Sequence, residues 1–158
     1  MHPIQTPITG QEPQADQSLP STALVQFYSA FNHRDLEAMQ LNWHQSDASV
    51  MNNPLGGIKR GWQEIRSVYE QIFTSPAQVY VEFYDYTLHQ DSAFFYAVGR
   101  ERGSFEHGQI KLDLAIRTTR IYRRIGQVWQ QVHHHGSIED PELLKRYQAA
   151  VRGKPLLP

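Results

Sequence analysis

The alternation of apolar and polar positions is clearest between Gly108 and Ile138. Every second residue from Ile110 is Leu112, Leu114, Ile116, Thr118 and Arg120, and between them lie Lys111, Asp113, Ala115, Arg117 and Thr119. A period of two predicts a strand with one face in a core and the other nearer water. Arg124-Ile125-Gly126-Gln127 then supplies a Gly-containing turn. The return strand carries Val128, Gln130, Val132, His134 and Gly136 on one face and Trp129, Gln131, His133, His135 and Ser137 on the other. With both apolar faces lining one interior, Arg120 and His134 look inward, because no other placement is open without a bulge. A buried cation needs a partner. Arg120 therefore meets either an internal acid or a cavity that holds an anionic or polar ligand.

Upstream, Gln78 to His89 alternates Val79, Val81, Phe83 and Asp85 against Tyr80, Glu82, Tyr84 and Tyr86, and Gln90-Asp91 turns the chain into Ser92 to Arg102. Ser21 is placed to cap a helix from Thr22 to His33, with Leu24, Phe27, Tyr28 and Phe31 at helical spacing. A second short helix starts near Asp35 and carries Leu36, Met39 and Trp43. Ala48 to Asn53 reads as a short strand, ended by the turn Asn53-Pro54-Leu55-Gly56-Gly57. A helix follows from Trp62 to Phe73, with Ile65, Val68, Tyr69 and Ile72 on one side and Ser75-Pro76 at its end. Pro141 opens a last helix, Glu142 to Val151, stopped by Gly153-Lys154-Pro155. This order predicts an α+β fold: a cone-shaped, strongly curved antiparallel sheet with three N-terminal helices over its concave face and a pocket between them. Residues 1–20, rich in Pro and Gln, read as a disordered tail; 21–140 form the domain; 141–158 are a C-terminal helix and tail.

At 158 residues the chain is one domain with room for a sizeable core. A formal charge of −1 gives no general pull toward nucleic acid or anionic membrane, and no run is apolar enough to span a bilayer. The first twenty residues lack the basic start and apolar block of a secretory signal, so a cytoplasmic location is expected. There is no cysteine, which excludes disulfides and thiolate sites. The run His133-His134-His135 invites a metal reading, yet only His133 and His135 share a face, and a third ligand would have to come from His107 or Asp113. No conventional ligand spacing supports this, so neither a metal nor a cofactor is expected. With Trp129 and Gln131, those two histidines are assigned to the outer sheet face. Lys59, Arg60 and Arg66 read as a solvated loop and helix face.

The residues Asn53-Pro54, Gly61-Trp62 and Ile65, with the terminal block Thr119-Arg120-Ile121-Tyr122, Gly126, Trp129, Val132-His133-His134-His135 and Ser137, resemble SnoaL-like members of the nuclear-transport-factor-2-like superfamily across Ser21 to Ser137. The terminal block also resembles the association domain of calcium/calmodulin-dependent protein kinase II. In that domain the arginine matched by Arg120 lines a pocket for small carboxylates together with a second arginine; here the second place is Gly136. The resemblance implies the cystatin-like cone fold and commonly a homodimer through the outer sheet face. It also implies that Trp43 and Asn53 stand near the pocket mouth, where an indole walls a ligand and an amide orients it. The ketosteroid isomerase relatives use a carboxylate facing a tyrosine and a protonated acid. That set is not found with matching spacing, although Tyr28, Tyr84, Tyr86 and Tyr96 are available.

Three functions follow for test. The first is a small-molecule-binding protein whose ligand, organic and in one version anionic, contacts Arg120, His134, Trp43, Asn53 and Tyr28. The second is a cofactor-independent isomerase, dehydratase or cyclase in which Asp85 or His134 moves a proton and Arg120 holds an oxyanion. The third is an oligomerising structural module with no ligand.

Overall fold

A computed structural model describes residues 1–153. Four long strands, β3 (Gln78–Gln90), β4 (Phe94–His107), β5 (Ile110–Ile125) and β6 (Val128–Ser137), follow one another as antiparallel hairpins. Two three-residue strands, β1 (Val50–Asn52) and β2 (Ile58–Arg60), extend the sheet beyond β6 in the order β2-β1-β6-β5-β4-β3. Because β1 runs parallel to β6, the sheet is mixed at that end instead of wholly antiparallel. The α+β class and the curved sheet are as the sequence predicts.

Alternation holds along β5, where Leu112, Leu114, Ile116, Thr118, Arg120 and Tyr122 are all buried. It fails on both neighbours of the β4–β5 pair, at bulges. In β3 the register shifts between Tyr84 and Thr87, and Asp85 takes a positive φ of 49°. One extra residue exchanges the faces downstream, so Tyr86 turns inward and Asp85 outward. In β6 the register shifts opposite Ile121/Tyr122, which leaves Val132 outside the pairing and lets both Gln131 and His134 face the core. Trp129 and Gln131 are accordingly core residues and not outer-face ones. His133 and His135 do stay on the outer side, His133 with Nδ1 2.9 Å from the Val50 carbonyl oxygen and His135 exposed.

The strong curvature has a cause in β4. Side chains on Gly99 and Gly103 would run into β3: a Cβ on Gly99 would lie 2.5 Å from that of Tyr86, and one on Gly103 would strike the Tyr80 carbonyl. Glycine at both places lets β3 fold closely over β4. Glu101, midway between them, is carried on the concave face.

Helices α1 (Pro20–Asn32), α2 (Leu36–Asn42) and α3 (Trp62–Thr74) cover that face. The cap expected at Ser21 is not used; Pro20 occupies the first turn and Leu19 is the cap residue. Asp35 does cap α2, accepting from the Ala38 amide. A fourth helix, α4 (Pro141–Val151), also takes part: Tyr147 and Ala150 are buried, Tyr147 meets Phe105 edge-on at 5.5 Å, and Gln148 donates to the Leu55 carbonyl. The concave face is thus covered by four helices and not three. The tail beyond Gly153 lies outside the described residues.

Residues 1–20 are not the loose tail that their composition suggests. Ile4 and Ile8 exchange backbone hydrogen bonds with Tyr86 and Phe83, Ile8 is 5% exposed, and Gly10 packs directly on the α1 backbone at Ser29. The buried Ile8, the backbone pairing of Ile4 and one glycine tie this stretch along the free edge of β3, where unpaired amides would otherwise be exposed. No described helix is long and apolar enough to cross a membrane.

Candidate functional site

Between the concave face and α1, α3 and α4 lies a cavity of about 510 Å³. Its walls are largely apolar, with Phe27 and Phe31 from α1, Tyr69 from α3, Phe105 from β4 and Ile116 from β5 among them. Three buried polar side chains from three adjacent strands interrupt this lining: Glu101 (β4), Arg120 (β5) and His134 (β6), exposed by only 4%, 2% and 5%. Strand parity puts Glu101 and Arg120 there; the β6 bulge lets His134 join Gln131 on the same face.

Arg120 donates from Nη2 to Glu101 Oε1 at 2.7 Å, from Nη1 to Gln131 Oε1 at 2.8 Å and from Nε to the Tyr28 hydroxyl oxygen at 3.2 Å. The Tyr28 hydroxyl in turn donates to Glu101 Oε1 at 2.6 Å. Phe27 covers one face of the guanidinium, with its ring centroid 3.5 Å from Cζ. Behind this set, Gln131 donates to Asn42 Oδ1, which also accepts from the Tyr122 hydroxyl, while Asn42 is anchored on the Ala23 carbonyl of α1. The chain of bonds fixes the ion pair by its rear side.

Burial opposes charge on Arg120, but the surrounding tyrosines and Glu101 outweigh it and hold the guanidinium's pKa above its ordinary value. Burial raises the Tyr28 phenol well above its usual range, partly offset by Arg120. Tyr69 is pushed up to about 12, again by burial first, with Arg120 opposing. His134 moves the other way: burial, then the positive field of Arg120, holds it well below the ordinary imidazole value, so it is neutral near pH 7.

Three sets of bonding capacity stay open on the buried polar groups of the cavity. Glu101 Oε1 takes both protein donors, and Oε2 accepts none. Of the five N–H donors on a guanidinium, Arg120 uses three, leaving one on each terminal nitrogen. Both ring nitrogens of His134 are buried with no partner. Buried polar groups in that condition are rare in folded proteins; Trp43 Nε1 and Thr118 Oγ1 share it away from the cavity, while both nitrogens of His134 stand at its wall beside the open positions of Glu101 and Arg120.

The expected site residues divide accordingly. Arg120, His134 and Asn53 line the cavity; Asn53 also caps its own turn, accepting from the Leu55 amide at 2.8 Å. Tyr28 is not part of the wall but stands behind the ion pair, stacked on Phe83. Trp43 is fully buried behind α3, against Trp62 and Tyr69. Asp85 is outside: the bulge turns it to the surface, where it accepts from Gln5 at 2.7 Å and pairs with Arg100 at 3.5 Å. The internal acid that Arg120 requires is Glu101. Its signal was present in the alternation Phe95, Ala97, Gly99, Glu101, Gly103, Phe105, interrupted by two glycines. Gly136 leaves no room for a second arginine, since a Cβ there would stand 2.7 Å from Pro54 and 3.3 Å from His134. No group of three His, Asp or Glu side chains converges to hold a metal ion among the described residues.

Comparison with known proteins agrees with this architecture. Residues 21–141 match the SnoaL-like domain family. Among solved structures, a protein described as a calcium/calmodulin-dependent protein kinase type II association domain from Thiobacillus denitrificans superposes with a TM-score of 0.66 at 22% identity, over 77% of this chain and 95% of that one. A protein described as a dehydratase of the NTF2-like family from Streptomyces avermitilis gives 0.64 at 18% identity, over 75% and 93%. A ketosteroid isomerase-like protein from Erwinia carotovora gives 0.65 at 17%, over 80% and 98%. No curated protein sequence matches the chain. With about three quarters of its length matched by the family and the curved sheet and helical cover in place, the chain belongs to the SnoaL-like domain family.

Proposed function

We propose that the protein binds a small, mainly apolar organic molecule whose polar head reaches Glu101, Arg120 and His134. One observation carries this: an apolar-walled cavity of about 510 Å³, the size of a small-molecule site, contains a buried ion pair with bonding capacity to spare and an imidazole with no partner. A cavity that served only to fill the fold would be lined by apolar groups, because each unsatisfied polar atom costs stability. Arg120, His134 and Asn53 supply the contacts, while Tyr28 and Trp43 hold the wall from behind. The test is mass spectrometry of the organic extract of gently purified protein, joined to thermal-shift screening of small organic molecules. An Ile116→Phe variant, which fills the cavity, should lose both the copurified molecule and the stabilisation. An unchanged response in that variant would sink the assignment.

The uncommitted Oε2 of Glu101 favours a second reading, an isomerase, dehydratase or cyclase that works by proton transfer in the same cavity. The likeness to proteins described as a dehydratase and as ketosteroid isomerase-like supports it. Glu101 replaces Asp85 as the acid–base candidate, with His134 kept. Exchange of ligand C–H for deuterium in D₂O, absent in Glu101→Gln, separates an enzyme from a binding protein.

A homodimer through the convex face is part of the proposal. Val98 and Phe94 are exposed there by 42% and 40%, in rows that continue into Thr119 and His135 and beside Tyr96 and Ile121. Likeness to a protein described as an association domain supports the same face. Light scattering should show two copies for the native chain and one for Val98→Asp.

A further inference from the structure

Resting on the ligand-binding reading above, we infer that Glu101 sets the charge of the ligand: the cavity takes an uncharged head group that both donates and accepts a hydrogen bond, and it rejects carboxylates. Arg120 alone would make the polar patch an anion site. It is not alone, because Glu101 lies 2.7 Å away in the same buried layer and cancels its charge. His134 adds no charge near neutral pH. The summed charge of these three buried groups is therefore zero, in a setting where poorly solvated charge is strongly disfavoured; the other cation of the wall, Lys59 on β2, is only partly buried.

The directional capacity left over defines the head group. Tyr28 and Arg120 both donate to Oε1 and Arg120 stands as the counter-charge of Glu101, which leaves Oε2 as an acceptor open to a ligand donor. Two N–H groups of Arg120 lie outside these bonds; the Tyr69 hydroxyl stands beside the guanidinium, and what capacity remains calls for a ligand acceptor. A primary amide, an oxime or an enol offers both functions side by side; a carboxylate offers acceptors only and places its negative charge against Oε2. Repulsion between like charges in a buried site costs far more than one lost hydrogen bond.

Three probes of one shape separate these terms: 2-naphthamide (donor and acceptor), methyl 2-naphthoate (acceptor only) and 2-naphthoate (anion), titrated by calorimetry into the intact protein at pH 7.5. Wild type should bind the amide most tightly, the ester about tenfold more weakly for want of the donor and the carboxylate weakest, by about a hundredfold or more. Glu101→Gln should reverse the order, since the guanidinium then lacks its counter-charge and the anion can replace it. Carboxylate binding as tight as the amide in wild type, or an order unmoved by E101Q, overturns the assignment while leaving a ligand site intact. Binding of none of the three by wild type overturns the ligand-binding reading itself. Should E101Q not fold, by circular dichroism, the wild-type ranking alone decides.

Discussion

Replacing His134 by leucine should make the protein more stable, and increasingly so as the pH falls. The imidazole is 5% exposed and neither ring nitrogen has a partner. A neutral ring has one donor and one acceptor, and leaving such groups buried and unpaired costs about 1–3 kcal/mol each. Taking a gain of about 2 kcal/mol for removing both, and about 2–4 °C per kcal/mol for a domain of this size, the melting point should rise by about 4–8 °C at pH 7.5. The pH term has a definite sign. Folding lowers the His134 pKa well below the ordinary 6.5, so the unfolded chain takes up a proton that the folded chain refuses. Stability is fully present above the unfolded value of about 6.5 and is lost as pH falls through the window between that value and the folded one. The loss runs at about 1.4 kcal/mol per pH unit for one proton. At pH 5.5 the variant's advantage should therefore widen to about 3 kcal/mol.

Urea unfolding at pH 7.5 and 5.5, wild type beside His134→Leu, reads both numbers, and the common contributions of the other histidines and carboxylates cancel in the difference. Equal slopes against pH for the two proteins would show that His134 titrates freely when folded. A variant less stable at both pH values would show that its ring nitrogens are satisfied in solution. Either outcome refutes the reasoning.

Arg120→Met alone should lose about 3–5 kcal/mol in urea unfolding, because the Glu101 carboxylate is left buried and uncompensated. Adding Glu101→Leu to that variant should recover most of the loss, and a double variant no better than the single one would contradict the pairing. Gly103→Ala, whose Cβ would strike the Tyr80 carbonyl, should destabilise by at least about 2 kcal/mol through displaced backbone, read as a lower melting point. Ile8→Ala should cost about 2 kcal/mol and speed amide exchange at Phe83, which donates to the Ile8 carbonyl; unchanged protection there would mean that residues 4–10 are not docked in solution.

Much of the fold was legible because β5 keeps a strict period of two from Ile110 to Tyr122, and that row alone places Arg120 inside. The two misplacements share one physical origin. A bulge adds a residue without changing composition, so the alternation cannot show it, and the residues on its two sides fall out of phase. That is why Asp85 read as internal and Trp129 and Gln131 as external. In β6 the residues before Val132 are out of phase with those after it, so His134 shares the inner face with Trp129 and Gln131 and not with Val128 and Gln130. Glu101 went unread for another reason: glycines on either side removed the apolar neighbours that mark a buried row. The N-terminal strap shows the limit of composition, since Pro and Gln predict disorder while Ile4 and Ile8 supply just enough pairing to dock.

The two features that weaken this core most, a buried ion pair and an unpaired imidazole, occupy one end of one cavity. Folding alone does not call for either. An apolar pair of similar volume in place of Glu101 and Arg120 is often as stable or more so, and leucine in place of His134 should be better tolerated than histidine. Packing elsewhere follows the rules of a stable domain: β5 is apolar on its inner face, the aromatic cluster of Phe27, Phe31, Tyr69 and Phe73 is close-packed, and the β3 edge is covered. Single exceptions occur elsewhere, at Trp43 Nε1 and Thr118 Oγ1, but where several meet at one open space the cluster marks the place where a protein does its chemistry or holds its ligand. Stability gained on removing them, with ligand response lost, is the signature that separates a working site from a flaw in packing.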